Sequence, residues 1–261
     1  MKILVTNDDG IFAPELWILV KELKNVAQVA VVAPDREQSA IGTAVTLRRP
    51  LKVHSLNSVT AGVEAYSVEG TPADSVILAL GKLVKDKIDL IISGINPGPN
   101  LGDNVLVSGT VGAALQGYQH GVSSLAISVG APDNRYFDNA AKLAALLAKK
   151  IDSNVLPENI FLNVNLPALP LAEIRGIEIT EVASKAYADT VEVEDDGRRK
   201  YYWLIRQQVG KDTHKKTDIG AIERGSISIT PLHANLFCKP FLIPDSLCSD
   251  LLQELRSMGR S

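Results

Sequence analysis

Ile3-Leu4-Val5-Thr6-Asn7-Asp8-Asp9-Gly10 is an apolar run, rich in β-branched residues, that stops abruptly in polar residues and a glycine. The same design recurs along the first half of the chain. The run at 29–33 ends in Pro34-Asp35-Arg36, the run at 90–92 in Ser93-Gly94-Ile95-Asn96, and the run at 125–129 in Gly130. Unbroken apolar runs, rather than alternating ones, suit strands covered on both faces and so predict a parallel sheet. Between them the spacing predicts helices over 15–24, 73–84, 111–118 and 139–150. Strands alternating with helices of that length make an α/β, doubly wound, mostly parallel sheet. Ligands of such sheets sit outside the carboxyl ends of the strands, and every polar cluster named above falls at such an end.

Beyond residue 151 the texture changes. Phe161-Leu162-Asn163-Val164-Asn165-Leu166-Pro167 reads as one more strand. Thr190-Val191-Glu192-Val193-Glu194 and Tyr201-Tyr202-Trp203-Leu204-Ile205 then flank Asp195-Asp196-Gly197-Arg198, a hairpin signal. One face of that hairpin is expected to carry Val191, Val193, Tyr201, Trp203 and Ile205. A lone two-stranded ribbon is marginal in water, so this one should pack on something, a second subunit being the natural choice.

Bulk properties narrow the function. With 46% hydrophobic and 22% charged residues, the 261-residue chain has an ordinary globular composition. A net charge of -3 provides no broad basic field for nucleic-acid polymers or anionic membranes. Phosphate recognition, if present, has to be local. The two cysteines, Cys238 and Cys248, form no CxxC and suit free thiols in a reducing compartment. No leader-like segment opens the sequence and no run spans a bilayer, so a cytoplasmic protein is expected. His54, His120, His214 and His233 show no ligand spacing. The absence of GxSxG, GxxxxGK[ST] and GxGxxG disfavours a serine hydrolase, a P-loop ATPase and a dinucleotide-dependent oxidoreductase.

Three segments carry candidate chemistry. Asp8 and Asp9 are adjacent carboxylates at a strand end, which repel unless a cation or hydrogen-bond donors compensate. Oxygen ligands of this kind suit Mg²⁺, Mn²⁺ or Ca²⁺ rather than zinc. The plain alternative, one aspartate capping the next helix, wins for an isolated pair. The second segment, Ser93 to Asn104, is rich in glycine, proline and asparagine, and long loops at this edge are usually functional. Ser108-Gly109-Thr110 opens a helix, where free amides and the positive dipole end make a phosphate seat. Taken alone it reads as a simple N-cap. Glu69-Gly70-Thr71-Pro72-Ala73-Asp74 reads as a structural helix start.

Together these residues resemble the survival protein SurE family of nucleotidases. The resemblance rests on Ile3 to Ile11, Ala33-Pro34-Asp35-Arg36-Glu37-Gln38-Ser39-Ala40, Val68 to Asp74, Ser93-Gly94-Ile95-Asn96 with Asn100-Leu101-Gly102-Asp103, and Ser108-Gly109-Thr110-Val111. Asn163-Val164-Asn165-Leu166-Pro167, Thr217-Asp218 and Ile229-Thr230-Pro231-Leu232 extend it in order and spacing. It implies a Rossmann-like catalytic core, 1–182, and a C-terminal extension, 183–261, exchanged between subunits of a homodimer or homotetramer. The implied activity is hydrolysis of nucleoside 5′-monophosphates, with 3′-nucleotides and other phosphomonoesters as further substrates, using one divalent cation per subunit, Mg²⁺ or Mn²⁺. The implied metal ligands are Asp8, Asp9, Ser39 and Asn96. Asn96, Ser108, Gly109 and Thr110 are expected to hold the phosphate, and either Asp8 or Asp9 to orient the attacking water. Two departures from the family pattern stand out: Val107 in place of a tyrosine, and Gln116 in place of an acidic residue. A non-catalytic nucleotide sensor using the same cleft, and an oligomeric scaffold suggested by the hairpin, are the alternatives from other classes.

Overall fold

The computed structural model describes residues 1–56, 60–130, 134–184, 187–208 and 216–235. The predicted strands and helices are present, with ends shifted by a few residues, and the helix expected over 73–84 is α-helical only at its start. Strand β1 (Lys2–Thr6), helix α1 (Pro14–Leu23) and strand β2 (Gln28–Pro34) form the first unit. Strands β3 (Val53–Leu56) and β4 (Glu64–Val68) precede helix α2 (Pro72–Leu78), which continues as a wider turn over Ala79–Leu83. Strand β5 (Leu90–Pro97), helix α3 (Gly109–Gln119), strand β6 (Ser123–Val129), helix α4 (Phe137–Asp152) and strand β7 (Phe161–Leu166) complete the alternation.

Nine strands form one sheet in the order β3-β4-β2-β1-β5-β6-β7-β11-β8, where β8 is Ile177–Ile179 and β11 is Ile227–Pro231. Pairing is parallel from β4 to β7, while β3 and β11 run antiparallel to β4 and β7. Helices α1 and α4 cover one face and α2 and α3 the other. That sandwiching is why the strands read as continuous apolar runs: Ile3, Leu4, Val5, Ile91, Ile92 and Leu125 are all fully buried. The chain winds one way from β1 to β2 and the other way from β1 to β5. The crevice at the carboxyl ends of β1 and β5 is therefore the switch point where this architecture binds ligands.

The second sheet is the expected hairpin, β9 (Tyr187–Asp195) and β10 (Lys200–Gln208). Its register corrects the expected face. Tyr202 pairs with Val193 and Leu204 with Val191, whereas Tyr201, Trp203 and Ile205 pair with Glu194, Glu192 and Thr190. The apolar residues are thus divided between both faces, because Asp196 N–H donates to the Arg199 carbonyl and closes a four-residue connection. Shifting the pairing by one residue exchanges the faces of a ribbon. Helix α5 (Asp218–Glu223) and β11 follow, and β11 returns the chain to the main sheet. Among the described residues no helix is long and apolar enough to cross a membrane. Cys238, Cys248 and His214 lie outside the described residues; His54, His120 and His233 are exposed.

Candidate active site

Residues from four loops converge at the switch point. A cleft of about 210 Å³ is lined by Asp8 after β1, Ser39 and Ala40 after β2, Asn96 to Asn100 with Asn104 after β5, and Val107 with Ser108 before α3. Four of the residues singled out from sequence, Asp8, Ser39, Asn96 and Ser108, thus share one wall.

Asp8 is buried and held at the start of α3. The Thr110 hydroxyl donates to its Oδ1 at 2.6 Å, and the Thr110 backbone N–H also lowers its proton affinity. Burial outweighs both and raises its pKa above the usual carboxylate range. Gly109 makes the approach possible: a Cβ there would lie 2.8 Å from Asp8 Cβ and 2.9 Å from Asp8 Oδ2. Thr110 is fully buried and does not line the cleft itself; its hydroxyl is engaged with Asp8, which does.

Asp9 is half-buried, and its pKa is pushed up to about 8, by burial first and then by the charges of Asp8, Glu15 and Glu37. Its Oδ2 is buried with no hydrogen-bond partner. Neither aspartate caps α1, whose N-cap is Ala13 with no side-chain bond and with proline in the first turn. The capping alternative therefore fails, and an unpaired, proton-hungry carboxylate oxygen is left at a ligand-binding edge.

The neutral donors are oriented locally. Ser39 Oγ donates to Glu37 Oε1 at 2.7 Å, leaving its lone pairs free. Asn96 Nδ2 donates to the Gly98 carbonyl at 2.6 Å, leaving Oδ1 as the available atom. Asn96 is brought to the wall by an irregularity in the β5–β6 ladder, where pairing jumps from Ser93–Ala126 to Asn96–Ser128. Ser108 does cap α3, accepting from Val111 N–H at 3.2 Å, so the N-cap reading holds alongside its place in the cleft. Thr71 and Asp74 form a capping box, as the structural reading expected, and Asp74 also accepts from Thr46 N–H to tether the long loop that carries Ser39.

The supporting shell was not legible beforehand. Asn100 at the centre of the 96–104 loop donates its amide N–H to Asn165 Oδ1 and its side-chain Nδ2 to Ser128 Oγ, both at 2.9 Å. Its carbonyl accepts from Asn163 and Asn165. Asp218, fully buried, accepts from Gly102 N–H at 2.8 Å and from Ala183 N–H at 3.0 Å. The available signal was the alternation Asn163-Val164-Asn165 within a buried strand, since buried amides need partners.

The donor set is two carboxylates with a serine and an asparagine oxygen. Among the described residues no group of three His, Cys, Asp or Glu suits a metal ion. A hard, oxygen-preferring cation fits this set, and the orphaned Asp9 Oδ2 has the free valence to take part.

Residues 3–189 match the family model described as Survival protein SurE. The chain belongs to the SurE family. Among curated SurE relatives, "5'-nucleotidase SurE" of Dehalococcoides mccartyi strain CBDB1 is 51% identical over 262 residues, covering 98% of both chains. The protein of the same name from Legionella pneumophila strain Paris is 44% identical over 237 residues, covering 90% of this chain and 92% of its own. The crystal structure of the SurE protein from Aquifex aeolicus superposes with a TM-score of 0.79 at 35% identity, over 97% of this chain and 100% of the other.

Proposed function

We propose that the protein is a divalent-metal-dependent 5′-nucleotidase that hydrolyses nucleoside monophosphates to nucleoside and phosphate. The observation that carries this reading is the meeting of Asp8, Ser39, Asn96 and Ser108 in one cleft at the switch point, while Asp9, the next residue after Asp8, does not line it but has a buried, unpartnered carboxylate oxygen. SurE relatives of 44–51% identity bear the name 5′-nucleotidase. Asp8, Asp9, Ser39 and Asn96 would hold one Mg²⁺ or Mn²⁺, which supplies charge neutralisation for the phosphate and lowers the pKa of water.

The chain's own residues do the rest. Ser108 and the Gly109 amide at the start of α3 take phosphate oxygens, where the helix dipole favours negative charge. Thr110 serves the site by fixing Asp8. One of the two aspartates accepts a proton from the attacking water as its oxygen bonds to phosphorus. The ester P–O bond breaks, and the leaving oxygen takes up a proton from solvent, so the nucleoside departs as the alcohol while the aspartate returns its own proton to solvent. The two aspartates are adjacent rather than in a DxD pattern, which favours direct attack by water over a phosphoenzyme.

A weak net charge of -3 supports small nucleotides rather than nucleic-acid polymers as substrates. A panel of 5′-AMP, 5′-GMP, 3′-AMP and bis(p-nitrophenyl) phosphate, assayed with Mn²⁺ and with Mg²⁺, tests the reading. The monophosphates should turn over and the diester should not. Diester turnover faster than every monophosphate would overturn it.

The same reading assigns 183–261 to assembly as a homodimer or homotetramer with an exchanged C-terminal element. The hairpin presents Val191, Val193, Tyr202, Trp203 and Leu204 to solvent, each more than half exposed, which is unusual for an element meant to stand alone. Deletion of 191–205 should yield a smaller assembly by light scattering; an unchanged mass would remove the hairpin from the interface.

A further inference from the structure

The hairpin meets the lining of the cleft at Asn104. Strand β9 packs on the 102–106 segment, and Arg206 on β10 places Nη1 3.5 Å from Asn104 Oδ1. Asn104 is one of the cleft-lining residues. Its backbone is already set, since its N–H donates to the Leu101 carbonyl and its own carbonyl accepts from Val107 and Ser108. Only the rotation of its side chain is left to be decided.

Arg206 is held for that task. Asp189 grips its guanidinium in a two-pronged pair, Nε to Oδ1 at 2.7 Å and Nη2 to Oδ2 at 2.9 Å. While the neighbouring hairpin side chains face solvent, the Arg206 side chain is only 34% exposed. A guanidinium offers five donors in a planar fork, so two can bind Asp189 while a third addresses a different acceptor.

We propose that Arg206 is a positioning residue that orients Asn104 to bind the nucleoside part of the substrate. This rests on the nucleotidase reading. Asn104 lines the cleft, and with Oδ1 engaged by Arg206 its Nδ2 donors are the group left to address a ligand. The group recognised is a neutral acceptor, a ribose hydroxyl or ring oxygen. Asp189 neutralises the arginine, so the pair has no net charge with which to select a second phosphate.

The test compares 5′-AMP with p-nitrophenyl phosphate, which shares the phosphate and lacks the ribose. In Arg206→Ala and in Asn104→Ala the ratio of kcat/KM for 5′-AMP to that for p-nitrophenyl phosphate should fall about tenfold, the worth of one hydrogen-bonded contact. The change should appear in KM rather than kcat. The double variant should lose no more than either single one, because both remove the same contact. Arg206→Lys, which retains the charge but not the fork, should resemble Arg206→Ala. An unchanged ratio, equal losses on both substrates, or additive losses would each overturn the proposal while leaving the nucleotidase reading in place. A parent protein that hydrolyses neither substrate would overturn that reading and this inference with it.

Discussion

Asp9→Asn should lower turnover by about 10³-fold while leaving the fold in place, the size expected when a charged ligand worth several kcal/mol in the transition state is removed. The reason is local. Asp9 Oδ2 is buried without a hydrogen-bond partner, and Asp8, Glu15 and Glu37 all raise the cost of ionising it. In the metal-free protein this carboxylate is a liability. Its pKa is about 8 in the fold against an ordinary value of 3.8, so between these values the folded state binds a proton that the unfolded state has released. The stability contribution is fully present below the unfolded value and is lost as pH rises through about 8. In chelator the parent should therefore melt at progressively lower temperature from pH 6 to pH 9, and Asp9→Asn should show a flatter profile. Mn²⁺ should stabilise the parent more at pH 8 than at pH 6, since binding must displace that proton. Calorimetry with and without metal measures all of this. Full activity of Asp9→Asn at limiting metal would show that Asp9 is not a ligand.

Gly94→Ala should damage the fold itself. Gly94 sits inside β5 with φ +134, where a side chain is strained, and an added Cβ would lie 2.4 Å from the Ile127 carbonyl oxygen. That oxygen belongs to β6, which is paired on both sides by β5 and β7 and cannot retreat without opening the sheet. A clash against fixed backbone together with a strained conformation costs about 3 kcal/mol or more. For a chain of this size that lowers Tm by on the order of 10 °C. Asn96 lies just beyond, so metal affinity should fall as well. Gly121→Ala is the control: its φ is +79 but nothing lies within 4 Å of the added carbon, so only the strain remains. Equal melting temperatures for the two variants would show that the sheet yields at Ile127.

Most of the parallel core could be read from the chain because both faces of its strands are covered, which leaves an unbroken apolar run with a sharp polar end. The strands that were missed lack that signature. Val53–Leu56 and Glu64–Val68 mix polar and apolar residues near one sheet edge, and Ile177–Ile179 is a three-residue edge strand. β11 is not announced because the run 227–231 is short, follows a helix of only six residues, and pairs with β7, more than sixty residues earlier.

By itself the sequence determined the α/β architecture, the strand ends where chemistry gathers, and Asp8, Asp9, Asn96 and Ser108 as candidates, because apolar periodicity and residue type are local properties; Ser39 entered only through the family resemblance. Only the tertiary structure decided the rest. It turned Thr110 inward to Asp8, suspended the 96–104 loop from Asn163, Asn165 and Asp218, and set the hairpin register that carries Arg206 to Asn104. These are contacts between residues as much as 116 positions apart. Hydrogen-bond geometry and a single-residue register choose them, and neither leaves a mark in the order of the amino acids.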